Sequence, residues 1–307
     1  MDRHPIAILS FNRPHYLARV LDSLRGQLAP GERPLFLFQD GAINRYSRQR
    51  YADDGDIDAC VALFRASFPH GVAMVAEHNL GCCENYLRAE TFMFEELGAE
   101  AAYFFEDDLV LSPHYLTMLD ALAREAAGRN DIGYVAAYGT LNRTIAQQMA
   151  HAHAMQRMSN MWAYWLTRRH WRELHAWLEP YYGFVVGTDY RRRPTKDILA
   201  FFRAREIPLL VSGQDGAKRA ATYALGRACV NTMACFGRYI GEQGLHMTPA
   251  RFAQRGYARA EFWPEPVPVA VPDAAQVKAL REQEYAAQWR QIAGSAAANA
   301  PRRAQES

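Results

Sequence analysis

Ala101-Ala102-Tyr103-Phe104-Phe105-Glu106-Asp107-Asp108-Leu109-Val110-Leu111-Ser112-Pro113-His114-Tyr115 is the stretch that decides how this chain is read. Its unbroken apolar opening predicts a strand buried on both faces, as in a parallel sheet. Three acids follow at once. Consecutive carboxylates repel one another, so a strand that ends in them calls for a cause, and a divalent cation supplies one. Mg²⁺ or Mn²⁺ takes one or two carboxylates from a protein and completes its shell with water and phosphate oxygens. A solvated acidic turn is the plain alternative.

Working outward, the runs Pro5–Phe11, Pro34–Phe38 and Val72–Ala76 repeat the buried-strand pattern. Helices fill the gaps. Tyr16, Leu17, Val20, Leu21, Leu24 and Leu28 recur at helical spacing, with Asn12 placed as an N-cap and Pro14 in the first turn. Two further helices are predicted over Ile57–Phe68 and Glu84–Leu97. Strand–helix–strand repeats imply right-handed crossovers and strands that all point one way, so their C-terminal ends form one rim, where ligands of such sheets bind. Asp40, in Phe38-Gln39-Asp40-Gly41, brings a further acid to that rim, and Gly41 permits a sharp turn or a close approach. Ser10, Asn12 and Arg13 offer a hydroxyl, an amide and a guanidinium where the first helix begins, and the fork of Arg13 suits phosphate. Together these strand ends predict a crevice for a nucleotide diphosphate and a metal ion. His78-Asn79-Leu80-Gly81 reads either as lining of that crevice or as a strand-to-helix turn.

Downstream, Ser112 and Pro113 open a helix through Ala123, Ile132–Tyr138 reads as a strand, and Arg168–Leu178 and Lys196–Arg205 read as helices. Ile207–Val211 reads as a strand, while Thr222–Gly244 is a mixed segment without an assignment. After Phe262 comes an extended proline-rich stretch, then a helix over Ala274–Ile292 and a tail expected to be disordered. The organisation read from this is a domain over 1–262, with a nucleotide-binding half (1–138) and a second half (139–262), followed by a separate segment over 263–307.

Composition narrows the class. At 307 residues, 50% hydrophobic and 22% charged, the chain is an ordinary globular protein and neither disordered nor fibrous. A net charge of +2, from 35 Lys and Arg against 33 Asp and Glu, gives no field that would make nucleic acid the partner. No apolar run reaches the roughly 18 residues of a membrane span and no signal peptide is visible, so a cytoplasmic protein is expected, compatible with peripheral contact at a membrane surface. The five cysteines have no metal-site spacing and are read as reduced thiols.

At these motifs the sequence resembles the glycosyltransferases of the GT-A fold, most closely the N-acetylglucosaminyltransferase I family. Pro5 to Pro14 is similar to that family's first strand and Asn-Arg-Pro turn. Gln39-Asp40-Gly41 resembles its second-strand acid, which implies contact to uracil. Glu106-Asp107-Asp108-Leu109 with Ser112-Pro113-His114-Tyr115 resembles its Glu-Asp-Asp-Leu motif. That likeness implies Asp108 as Mn²⁺ ligand, with Glu106 and Asp107 at the ribose and nucleotide-sugar. Gly226–Val230 and Phe236–Arg238 resemble a stretch after the family's catalytic loop, and counting back by its spacing implies Asp215 as general base, with Asp189 and Asp197 as the other candidates. Met161-Trp162-Ala163 and Arg168 to Trp171 resemble the family's Gly-Trp segment over the donor sugar. Asn85 aligns with a family His near the nucleotide, unless it is a helix cap, and His246 is a further metal-ligand candidate, unless it is a surface residue. Gln214 departs from the family, which has an aromatic before the base.

The resemblance implies an α/β GT-A fold with a mostly parallel sheet. It also implies a metal-dependent, inverting transfer of sugar from a UDP-sugar to a hydroxyl on a glycan or small molecule. A sugar-phosphate nucleotidyltransferase is the rival enzyme, but its glycine-rich phosphate loop is missing from Ser10–Pro14. A non-catalytic nucleotide- or glycan-binding module is the rival from another class.

Overall fold

The computed structural model describes residues 3–244 and 247–298. The four predicted N-terminal strands are β1 (Ile6–Ser10), β2 (Leu35–Gln39), β3 (Val72–Val75) and β4 (Ala101–Glu106). The helices between them are α1 (Pro14–Arg25), α2 (Asp54–Ser67) and α3 (Gly81–Thr91). The third continues as a π-helical turn over Phe92–Glu96. Next come β5 (Leu109–Leu111), α4 (Tyr115–Ala126), β6 (Ile132–Ala136), the short α5 (Ile145–Gln148), β7 (Met155–Arg157) and β8 (Tyr164–Thr167). The chain goes on through α6 (Arg168–Val185), α7 (Thr195–Arg203), α8 (Gln214–Ala224), β9 (Ala228–Thr232) and β10 (Gly237–Tyr239). It closes with α9 (Pro249–Arg255) and α10 (Ala274–Ala298).

The fold is the expected α/β class. One eight-stranded sheet runs in the order β3-β2-β1-β4-β8-β6-β9-β7. β1 pairs in parallel with β2 and β4, β2 with β3, and β6 with β9. Only β8 and β7 run against the rest. β1, β2, β6 and β9 are buried throughout, and their apolar side chains join those of α1, α4, α6 and α8 in a continuous core. α1 builds its buried stripe from Tyr16, Leu17, Val20, Leu21 and Leu24. The proline-rich stretch and α10 belong to the same core through Val267, Val271 and Val277.

Several expectations need correction. Asn12 does not cap α1: Arg13 holds the cap position and makes no side-chain cap bond. The helix expected from Ser112 starts later, at Tyr115, because Pro113 and His114 form a turn in which the Ser112 hydroxyl accepts from the His114 N–H at 3.3 Å. Ile207–Val211 is not a strand. Pro208 removes a ladder donor, and although Ile207 and Leu209 are buried, Val211 is 61% exposed and no strand pairs with the run. α6 runs through Pro180 to Val185, beyond the predicted Leu178.

β1 is where the sheet order turns: the chain builds outward through β2 and β3, then returns to add β4 on the other side. Such a switch point leaves a crevice at the C-terminal strand ends. A two-stranded ribbon of β5 and β10 stands beside it, with Tyr239 opposite Leu109.

Candidate active site

The crevice is built first from β1 and β4. Their register sets Leu9 opposite Glu106, so Asp107 and Asp108 stand level with the residues that lead into Arg13. Arg13 forks across both acids: one guanidinium nitrogen bonds Asp107 Oδ1 and the other lies 2.8 Å from Asp108 Oδ2. Asp107 and Asp108 are buried, and Asp107 Oδ2 and Asp108 Oδ1 have no hydrogen-bond partner. Burial pushes the Asp108 carboxyl up to about 6 even with Arg13 beside it. Arg13 is itself held above its usual range, because its acidic neighbours outweigh the burial that pulls it down.

The other walls come from α3, α8 and the ribbon. Tyr86 on α3 donates from its hydroxyl to Glu106 Oε1 at 2.8 Å. Burial, reinforced by the charges of Asp215 and Asp108, raises Glu106 well above the carboxylate range. Asp215 stands in the first turn of α8, where the helix dipole favours an anion. Burial raises it too, while Lys218 and Arg219 pull it back. On the ribbon side, the Asp108 carbonyl accepts from the Ile240 N–H at 2.9 Å. A Cβ on Gly241 would lie 2.6 Å from the Tyr239 hydroxyl and 2.7 Å from Asp108 Oδ2, so any larger residue here would push those side chains aside. Trp162 is half-buried and stacks flat on Tyr239, with ring centroids 4.3 Å apart.

Other predicted residues are placed differently. Asp40 is buried, and all its acceptor capacity is used within the protein. Oδ1 accepts from the N–H of Gly41 and Leu80, and Oδ2 from the Asn79 amide and the Gly81 N–H, at 2.7 to 3.1 Å. Burial raises this carboxyl to about 6, with those backbone bonds opposing. Asp40 therefore clasps the Asn79–Gly81 turn, and no lone pair is left for a base. Gly41 passes so close to that turn that a Cβ would lie 2.5 Å from the His78 carbonyl carbon. Asn85 ties α3 to β2 through its amide and the Phe38 carbonyl at 3.0 Å. Ser10 turns its hydroxyl toward the buried thiol of Cys60 on α2, and Asn12 is half-buried in the turn. Asp189 is buried, accepts from the Tyr51 hydroxyl at 2.6 Å, and fastens a surface loop, while Asp197 is exposed on the first turn of α7. His246 lies outside the described residues.

The sequence reading missed a buried pair behind the crevice. Lys218 Nζ lies 2.6 Å from Glu90 Oε1, with the two side chains 1% and 0% exposed, and the ammonium sits 4.9 Å from the centre of the Tyr86 ring. The signal was available: Lys218 falls on one helical face with Gln214, Ala217 and Ala221, and Glu90 on one with Tyr86, Ala89 and Met93. Cys82 was also missed. It is exposed to solvent yet ringed by protein, 3.9 Å from Gln214 Nε2. That crowding, ahead of the charges of Asp215 and Glu106, raises its thiol well above the usual value.

Whether the site suits a divalent cation turns on the orphaned oxygens. Among the described residues no group of three His, Cys, Asp or Glu side chains is placed to hold an ion. Asp108 Oδ1 and Asp107 Oδ2 nevertheless are buried acceptors without partners. One or two carboxylates suffice for Mg²⁺ or Mn²⁺ when phosphate supplies the rest of the shell. The residues fit an ion that a diphosphate helps to hold.

No protein-family model matches the chain, and no curated protein matches it. Solved structures do. Staphylococcus aureus TarS 1–349 matches at 13% identity and a TM-score of 0.42, over 78% of this chain and 61% of that one. GalNAc-T7 with UDP, GalNAc and Mn²⁺ matches at 10% identity and a TM-score of 0.47, over 92% of this chain and 49% of that one. Glucosyl-3-phosphoglycerate synthase from Mycobacterium tuberculosis, with Mn²⁺, UDP-glucose and phosphoglyceric acid, matches at 14% identity and a TM-score of 0.34, over 55% of this chain and 58% of that one. The chain spans less than two thirds of each. No helix among the described residues is long and apolar enough to cross a membrane.

Proposed function

We propose that the chain is a GT-A-type glycosyltransferase that moves a sugar from a UDP-sugar to a hydroxyl of a glycan or small molecule, with inversion. The observation that carries this reading is the meeting of Arg13, Glu106, Asp107 and Asp108 at the β1/β4 switch point, with Asp215 facing them electrostatically. Resemblance to the N-acetylglucosaminyltransferase I family supports it, and the sugar moved is a hexose or an N-acetylhexosamine.

A bound Mn²⁺ or Mg²⁺ would supply Lewis-acid neutralisation of the departing diphosphate, held by Asp108 with Asp107 beside it. Arg13 adds a second positive charge in planar-fork geometry, matched to phosphate oxygens. Glu106 keeps its proton into a higher pH range than an ordinary glutamate, so it can donate to a sugar hydroxyl as well as accept. Asp215 takes the proton of the acceptor hydroxyl as that oxygen attacks. Its raised carboxyl makes it a stronger base than a solvated aspartate, while Lys218 and Arg219 favour the ionised form. The flat Trp162–Tyr239 pair offers an apolar wall for a sugar ring.

The test is release of UDP from a panel of UDP-sugars with Mn²⁺. Slow hydrolysis is expected in the wild type, reduced at least about 100-fold in Asp108→Ala, the scale set by removing one electrostatic stabiliser. In Asp215→Asn, sugar transfer should fall comparably while UDP binding persists. Full transfer activity in that variant removes Asp215 from the base role.

A further inference from the structure

Arg13 sits between the two carboxylates on which the proposed ion would depend. It bonds Asp107 with one nitrogen and Asp108 with the other, and the oxygens it leaves untouched are the buried orphans Asp107 Oδ2 and Asp108 Oδ1. A single guanidinium thus offsets two buried negative charges. The tip of Arg13 is confined by the ring of Tyr16, 5.5 Å away, and by Gly244, whose Cβ would stand 3.4 Å from the guanidinium.

We infer that Arg13 is a built-in counter-ion that keeps a free divalent cation off Asp107 and Asp108 until a diphosphate draws it away. The inference rests on the reading of the crevice as a UDP and metal site. Its physical basis is charge and geometry. A divalent ion on Asp108 would stand next to the guanidinium, and like charges in a buried site repel strongly. The ion alone must therefore take the untouched Asp108 Oδ1 against the repulsion of the neighbouring guanidinium, or displace Arg13 and gain nothing for the displaced arginine. A diphosphate changes this balance, because its oxygens accept from the Arg13 fork and also ligate the ion. Metal and nucleotide then favour each other's binding, and by linkage the factor is the same in both directions. Direct contact between ion and diphosphate gives some coupling in any such site. The part owed to Arg13 is read where no diphosphate is present, in the affinity for the ion alone.

The experiment titrates Mn²⁺ into the 307-residue chain, with and without UDP, and follows the paramagnetic resonance signal of free Mn²⁺. Wild type, Arg13→Gln and Arg13→Lys are compared, the last keeping a charge that cannot span both carboxylates. In the wild type, UDP is expected to tighten Mn²⁺ binding by a factor toward the upper part of the roughly 5- to 150-fold range typical of coupled sites. Both variants should bind Mn²⁺ alone several-fold more tightly than wild type, and the tightening by UDP should shrink. Cooperative melting identifies which variants are folded, and either one suffices.

Unchanged or weaker binding of Mn²⁺ alone in a folded variant overturns the inference. So does a wild type that binds Mn²⁺ equally well with and without UDP. A wild type that binds neither UDP nor Mn²⁺, together or apart, overturns the reading of the crevice itself.

Discussion

Asp108 and Asp40 share a carboxyl raised by burial to about 6, yet they answer differently to the same substitution. Between the ordinary value of 3.8 and about 6, the folded state of Asp108 holds a proton that the unfolded chain has lost. Its contribution to stability is therefore full below that window, falls as pH rises through it, and is lost above it. At about 1.4 kcal/mol per pKa unit, the cost above the window is on the order of 3 kcal/mol. Asp108→Asn should accordingly melt higher than wild type at pH 7.5 and lose that advantage near pH 4. A melting series across pH checks this, and an equal or lower melting point at pH 7.5 counts against it. Asp40→Asn should destabilise by about 1–3 kcal/mol, because an amide nitrogen would then face backbone N–H groups that need an acceptor. Urea unfolding measures it. The acids at 107 and 108 were legible because charge at the end of an apolar run needs explaining. The clasp made by Asp40 was not, since its partners are N–H groups at Leu80 and Gly81 that no residue code reveals.

At the scale of elements, the crevice depends on how α3 and α8 are locked together. The Lys218–Glu90 pair joins them where neither side chain reaches water. Breaking a buried pair leaves an uncompensated charge and costs about 3–5 kcal/mol, whereas removing both charges is far milder. Lys218→Met should thus lower the urea midpoint steeply, and adding Glu90→Gln should recover most of the loss. A double variant as unstable as the single one would show that the ammonium stabilises through contacts other than Glu90. Element boundaries were read well where one local pattern dominates, as in α1 with its Pro14 start and apolar stripe. They failed where a local pattern lacked a neighbour to complete it. Ile207–Val211 is apolar enough for a strand, but Pro208 and the exposure of Val211 leave it without a ladder.

Across the whole molecule, the N-terminal half was legible because β1 to β4 are joined by helices in simple succession. The second half was not, because β8 inserts antiparallel between β4 and β6, and that pairing of Tyr103 with Trp165 is invisible to periodicity. The segment after Phe262 was read as separate, yet Val267, Val271 and Val277 are buried in the common core. At about 1.5–3 kcal/mol for each buried side chain, their removal would withdraw roughly 5–9 kcal/mol, comparable to the whole stability of a typical domain. Residues 1–262 alone should fail to melt cooperatively, as calorimetry of the truncated chain would show. The ribbon that joins Leu109 to Tyr239 sets a schedule as well as a shape. Translation at about 5–20 residues per second takes roughly 6–26 s to travel from one strand to the other. A nascent chain stalled before residue 237 has its acids but not the neighbour that covers them, so no nucleotide can be gripped until that second strand has been made.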